Sequence, residues 1–371
     1  MTTKFDFIIL GGGMTGLCVS NQLRQRYPKA KILIVEKESN LGLHSSGRNS
    51  GVLHAGIYYP EGTVKAQVCV NGAKRLKSWV IQNKLKINTC GKIIVAQNKD
   101  VEDQIDLLAS RAKSNGVVFS LVDAKEIRKK VPGINTNISV GIWSPHTCVV
   151  NPKEVIQTLG NRLTENNVTI KTCAKIIEIN AERSEINLND EHIRYGHLFN
   201  CAGLHADLIA HKFGVGKKYK ILPFKGLYWN LKETSAFNTA VNLYPVPDLN
   251  VPFLGIHFTP NTESKPQFTV GPTATPALGR ENYNWLQNIE PSNSLFTIST
   301  ILKQYLMNKN NFRRYVHQQA PLALPPFLLQ AAQELIPGIQ RDDLSLSSKV
   351  GIRSQLYNLE KETLENDFLC V

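Results

Sequence analysis

Gly11, Gly13 and Gly16 follow an apolar run, Phe5–Leu10, at the spacing G-x-G-x-x-G, and Glu36 stands twenty residues beyond Gly16. These residue types at this spacing suit phosphate and ribose chemistry. The first glycine permits a tight turn, the second lets backbone approach a pyrophosphate, and the third lets a helix pack close to its strand. Amide groups at the helix start, where Met14 and Thr15 lie, then face the phosphates. Glu36, followed by Lys37, accepts hydrogen bonds from a ribose diol.

A second stretch able to do chemistry is 41–59, LGLHSSGRNSGVLHAGIYY, rich in glycine and serine and too polar for a buried element. The chain has one G-x-G-x-x-G and no C-x-x-C, which excludes the layout of a flavin disulfide reductase. In an NAD dehydrogenase the serine-rich stretch would have no task. In an FAD protein it does: Ser45, Ser46, Asn49 and Ser50 line the pyrophosphate and ribityl chain with small donors, and Arg48 adds a positive charge. FAD is therefore the expected cofactor.

These residues need a frame. Residues 5–37 read as one strand–helix–strand unit, and helices are expected over 63–84, 100–115 and 152–166, the last capped by Asn151 with Pro152 at its first position. Strands are expected at 86–96, 168–172, 175–180 and 185–188, and HLFNCAGLH (197–205) reads as a strand entering a glycine turn. From 219 to 279 everything is strand and turn, consistent with one antiparallel sheet. Helical patterns at 292–317 and 326–336 precede a final strand at 348–357. The expected fold is α/β (α+β): a Rossmann-like FAD-binding domain (1–85, 150–215 and 340–371) with an inserted, largely antiparallel-sheet substrate domain (86–149 and 216–339).

The chain has 371 residues, 42% hydrophobic, and no run approaches a membrane-spanning length. The first strand begins at residue 5, leaving no room for a signal or transit peptide. Seven scattered cysteines argue against zinc, so no metal is expected, and against a disulfide framework; this suits a reducing, cytoplasmic compartment. The net charge of +13 comes without a block of five like charges or an aromatic–basic RNA motif. Nucleic acid is not expected; anionic substrates and an anionic membrane surface are the favoured partners. Residues 295–315 carry apolar residues at helical spacing beside Lys303, Lys309, Arg313 and Arg314, which suits either a membrane-surface helix or an ordinary amphipathic surface helix.

GGGMTG, HSSGRNSGVLHAGIYY, LFNCAGLHAD, LPFKGLYW, LYPVPD, FLGIHFTP and VGPTATPALGRENY together resemble the L-2-hydroxyglutarate dehydrogenase/oxidase family, within the group of FAD enzymes that includes D-amino-acid oxidase and glycerol-3-phosphate dehydrogenase. The resemblance covers almost the whole chain. It implies oxidation of a small dicarboxylate, L-2-hydroxyglutarate, to 2-oxoglutarate by hydride transfer to flavin N5. Electrons would pass on to oxygen, a quinone or another acceptor. Beside a cytoplasmic location, the net charge leaves peripheral contact at the inner face of the membrane as an alternative expectation. Neighbouring alternatives are another FAD-dependent 2-hydroxy-acid, amino-acid or glycerol-3-phosphate oxidoreductase, or an inactive flavin-binding remnant.

Such a reaction needs a base for the hydroxyl proton and cations for two carboxylates. Arg353, in VGIRS, sits where flavin oxidases of this group place a carboxylate-binding arginine. His257 is the first choice for base and His54 its rival. Lys225 is a candidate for the distal carboxylate or the flavin edge; Tyr58, Tyr59, Tyr244 and Arg280 are weaker candidates for substrate contacts. Ala202 and Gly203 resemble the late turn that runs past the adenosine end of the cofactor, where Gly203 allows close approach. The family pattern continues beyond Val371 into a turn and a helix whose N-terminus points at the flavin pyrimidine. Without that helix, FAD is expected to bind less tightly and at a lower potential.

Overall fold

A computed structural model describes residues 3–233, 235, 237, 239–248, 255–263 and 267–369, the side chain of residue 310 excepted. Phe253 and Leu254 of the FLGIHFTP motif, and Cys370, lie outside them.

The apolar run at the start forms the strand Thr3–Leu10, whose last three residues are buried. It pairs in parallel with Ile32–Val35 on one side and Glu191–Asn200 on the other. The full sheet has six strands, in the order Ile176–Asn180, Glu185–Leu188, Glu191–Asn200, Thr3–Leu10, Ile32–Val35 and Thr169–Lys171. Helices Met14–Arg26 and Pro152–Glu165 cover one face. Leu17, Ile156, Leu159 and Leu163 pack there against Ile9, Ile32 and Ile34, the apolar contact that fixes the glycine turn over the strand ends. Asn151 caps the second helix through its side chain, accepting from the Lys153 amide, with Pro152 at the first position.

A ten-stranded mixed sheet carries the rest. Its order runs from Thr363–Leu364 through Leu344–Asn358, Tyr219–Leu231, Phe268–Gly271, His257–Pro260, Asn242–Pro245, Lys92–Val95 and Val140–Ser144 to Ser120–Asp123, with Thr275–Pro276 pairing beside Tyr219–Leu231. It differs from the expected antiparallel sheet over 219–279 in two ways. Strands from 92–144 join it, and Asn242–Pro245 pairs in parallel with Lys92–Val95. The stretch 344–358, which the sequence places with the nucleotide domain, is hydrogen-bonded to Tyr219–Leu231 from Leu344↔Leu231 to Asn358↔Tyr219. One strand of fifteen residues is long enough to belong to the large sheet and still run past the nucleotide cleft. A small sheet of Val52–Leu53, Cys148–Val150 and Ile87–Asn88 anchors the end of the serine-rich stretch. Among the described residues no helix is long and apolar enough to cross a membrane.

Candidate active site

The glycine turn has the geometry its spacing requires. Gly11 adopts φ +113°, and a Cβ there would overlap the Cys201 carbonyl oxygen; a Cβ on Gly16 would overlap the Gly11 carbonyl oxygen. Glu36 accepts from the Gly12 amide at 2.8 Å and the Glu38 amide at 3.0 Å, while the Met14 amide donates to Ser46 Oγ at 3.0 Å. Gly11, Gly13, Thr15, Glu36 and Lys37 line one side of a cleft of about 460 Å³, and Ser45, Ser46, Ala202 and Gly203 line other parts of it. Met14 and Gly16 do not line the cleft. Met14 packs into the apolar core beneath, and Gly16 holds the helix against the strand.

At the mouth of this cleft charges are paired. Lys37 Nζ donates to Glu38 and Glu281 at 2.5 Å each. His205 Nε2 lies 2.7 Å from Glu281, and His44 bridges Glu38 (2.9 Å) to the Tyr283 hydroxyl (2.7 Å). Hydrogen bonding from His205, with help from Lys37, holds the Glu281 carboxyl down at about 2. Glu38, His44 and Glu281 have the ligand types of a cation site, but the Lys37 ammonium already serves as its cation. The serine-rich loop is sewn to the long final strand: Ser45 Oγ donates to the Ile352 carbonyl at 2.8 Å. Arg48 donates to the Leu43 carbonyl at 2.6 Å and stacks over the Tyr283 ring at 4.1 Å.

Ser45 and Ser354 also line a second cleft of about 330 Å³, so the two spaces meet there. Asn49, Ser50 and His54 enter it from the loop, Phe224, Gly226 and Tyr228 from the central strand, and His257 and Arg353 from neighbouring strands. His257 Nδ1 lies 2.9 Å from the Gly255 carbonyl, which can only accept, so Nδ1 carries the proton and Nε2 the lone pair. Its ring stacks on Tyr244 at 3.9 Å. Burial pushes His257 down to about 3, with the positive charges of Lys92 and Arg353 adding to the effect. His54 is pushed well down too, by burial first and then by the charges of Lys92, His257 and Arg353, and its buried Nδ1 has no hydrogen-bond partner among the described residues. Burial also lowers Arg353 below the usual guanidinium range, against the stabilising pull of Tyr228, Tyr315 and Tyr59.

Four expected contacts lie elsewhere. Phe224 pairs with Arg353 and Gly226 with Gly351, so strand alternation turns Lys225 to the opposite face, where its Nζ donates to Asn282 Oδ1 at 2.8 Å. Arg280 is committed to a buried bidentate pair with Asp207, at 2.6 and 2.8 Å. Tyr244 lies wholly buried against His257, and Tyr58 is buried beside it. Sequence reading quoted the stretches that hold Tyr228, Glu281 and Ser354 but gave those three residues no role. It also missed Lys92, which opens an otherwise apolar, fully buried strand, Lys-Ile-Ile-Val.

The fold and site define an oxidoreductase with a dinucleotide cofactor, and residues 6–362 match the family described as FAD dependent oxidoreductase. The L-α-glycerophosphate oxidase of Mycoplasma pneumoniae, solved with FAD bound, superposes with a TM-score of 0.75 at 20% identity, over 99% of this chain and 86% of that one. The Caenorhabditis briggsae mitochondrial L-2-hydroxyglutarate dehydrogenase is 36% identical over 83% of this chain and 72% of its own length. The Salmonella houtenae L-2-hydroxyglutarate dehydrogenase is 31% identical over 99% and 86%. The chain belongs to the L-2-hydroxyglutarate dehydrogenase family of FAD-dependent oxidoreductases. FAD is its cofactor, and the residues fit it. The glycine turn would close on any added Cβ, two clefts join end to end, and a buried nitrogen without a partner among the described residues, His54 Nδ1, borders the inner one.

Proposed function

We propose that the protein oxidises L-2-hydroxyglutarate to 2-oxoglutarate in the inner cleft. The observation that carries this reading is the convergence of Arg353, His257 and His54 on a cleft continuous with the nucleotide groove. FAD, when bound, supplies the acceptor for the hydride that leaves the α-carbon, and passes the electrons to oxygen, a quinone or another acceptor. Arg353 offers a planar fork of donors for one carboxylate and so orients the substrate. His257 Nε2, held as a neutral lone-pair nitrogen by its Nδ1 bond and by burial, takes the hydroxyl proton. His54 is the alternative base. The nucleotide would lie along Gly11, Gly13, Glu36, the 45–50 loop and Ala202–Gly203.

An anaerobic visible spectrum tests the reading: L-2-hydroxyglutarate is expected to bleach the flavin band. A sample fully loaded with FAD that keeps its band under this substrate, or bleaches faster with an amino acid or glycerol 3-phosphate, sinks it.

A second reading concerns the surface. In the helix Pro291–Met307, Leu295, Ile298, Leu302 and Leu306 follow one stripe and are each more than half exposed. With the net charge of +13, this stripe suits peripheral contact with an anionic membrane surface. Cosedimentation with vesicles rich in anionic lipid tests it; equal recovery with neutral vesicles refutes it.

A further inference from the structure

Lys92 is fully buried. Its Nζ sits 4.5 Å from the Tyr58 ring centroid and 5.0 Å from that of Tyr244, and 3.5 Å from the Tyr58 hydroxyl. Among the described residues no carboxylate pairs with it. Those two tyrosines also border the site histidines. Tyr244 stacks on His257 at 3.9 Å and meets His54 edge-on at 6.2 Å, and Tyr58 lies 6.5 Å from His54. The titratable and charged groups facing Lys92 are thus Tyr58 and His54 from the loop, Cys69 from the helix Val64–Gln82, Tyr244 and His257 from adjacent strands, and Arg353 beyond the histidines. None supplies a stable negative charge at neutral pH. A buried ammonium with no counter-charge is costly, so such a lysine sheds its proton unless an anion arrives.

A dicarboxylate in the inner cleft brings two negative charges, and Arg353 can balance one. We propose that Lys92 balances the other from behind the wall of tyrosines and histidines, taking up one solvent proton when a dicarboxylate binds and so favouring a doubly charged ligand over a singly charged hydroxy acid. This rests on the reading that the cleft binds a dicarboxylate. Burial pushes Lys92 down to about 7, so a proton is available to be gained in mildly alkaline solution. The step is a protonation only: the amine nitrogen gains a proton from buffer and returns it when the ligand leaves. Lys92 is a positioning residue, since the aromatic wall stands between it and the ligand.

Calorimetry on the FAD-loaded protein at pH 8, in buffers of different ionisation enthalpy, counts the protons. The ligands are 2-oxoglutarate and, as the monocarboxylate, 2-oxopentanoate. The native protein is expected to gain close to one proton with the diacid and far less with the monoacid. Lys92→Met is expected to gain none and to bind the diacid roughly 30-fold more weakly, the scale of one charge pair across a cleft wall, with the monoacid nearly unchanged. Lys92→Arg keeps diacid affinity without the uptake. Should the methionine variant not retain FAD, the native protein alone decides. Its diacid dissociation constant is expected to rise by about tenfold per pH unit just above neutrality, with a flat profile for the monoacid. Equal proton uptake in native protein and Lys92→Met, equal losses for both ligands, or parallel pH profiles would overturn the proposal. If L-2-hydroxyglutarate still bleaches the flavin in that case, the functional reading survives it; absence of any diacid binding overturns both.

Discussion

Lys37, His205 and His44 converge on Glu38 and Glu281 at the mouth of the groove, whereas Lys92, His54 and His257 converge on one another at its inner end. The first group holds elements together: a strand end, a loop, a late turn and the segment around residue 281 all meet at one carboxylate pair. The second group has two tyrosine rings for company; burial drives its members toward their neutral forms, and the Lys92 charge adds to this at both histidines. Mutual neutralisation suits a hinge between layers, while uncompensated buried base and ammonium groups suit a place where charge is to arrive with the ligand and move.

Breaking the inner end should cost most. Arg353→Met is expected to lower kcat/KM by about a thousandfold or more, as for a lost charge-assisted pair, with little recovery in Arg353→Lys because the fork geometry is gone. A variant that loads FAD and turns over normally would erase the contrast. Replacing the base comes next. Of His257→Asn and His54→Asn, one is expected to lose roughly 100- to 10,000-fold in kcat and the other much less, measured by stopped-flow flavin reduction. Because both imidazoles are depressed, the native kcat/KM is expected to show no histidine limb near the ordinary value of about 6.5.

The same depression has a stability signature. Between about 6.5 and about 3 the unfolded chain holds a proton at residue 257 that the folded protein does not, so stability falls as pH drops through that window. His257→Asn is expected to flatten this part of the melting-temperature profile; an unchanged slope would place the ring in a solvated site. The mouth should respond more mildly. Glu281→Gln is expected to cost about 1 kcal/mol after solvent screening, less in high salt, with kcat preserved. With Glu281 held at about 2, its contribution is present above the ordinary carboxylate range and lost as pH falls toward 2. The smallest effect on catalysis belongs to the exposed stripe. In Leu302→Glu, turnover is expected to hold while recovery with anionic vesicles drops; unchanged recovery would remove the stripe from any membrane contact.

Local patterns made the nucleotide end readable. Gly11, Gly13 and Gly16 declare a turn by their spacing within one strand–helix unit, although the turn also meets Ser46 and Cys201 from far along the chain, and Asn151–Pro152 declares a helix start. The inner end depends on strands far apart in the chain, and there the sequence misled at Lys225 and Arg280. Lys225 sits between Phe224 and Gly226, both facing the cleft, so its own side chain must face away; alternation alone carries that information. Arg280 finds Asp207 seventy-three positions earlier, a pairing no spacing rule announces. His54 and His257 reach the same cleft by separate routes, one on a loop and one on a strand, and only the packed sheet shows them to be neighbours.

Ser45 and Ser354 border both spaces, and Ser45 is tied through Ile352 to the longest strand of the large sheet. A cofactor lying across that junction would therefore act as a rivet between the six-stranded and the ten-stranded sheet. Empty protein is expected to lose its layers in two thermal steps and the loaded form in one, so that calorimetric cooperativity, beyond colour, reports whether the long molecule is home.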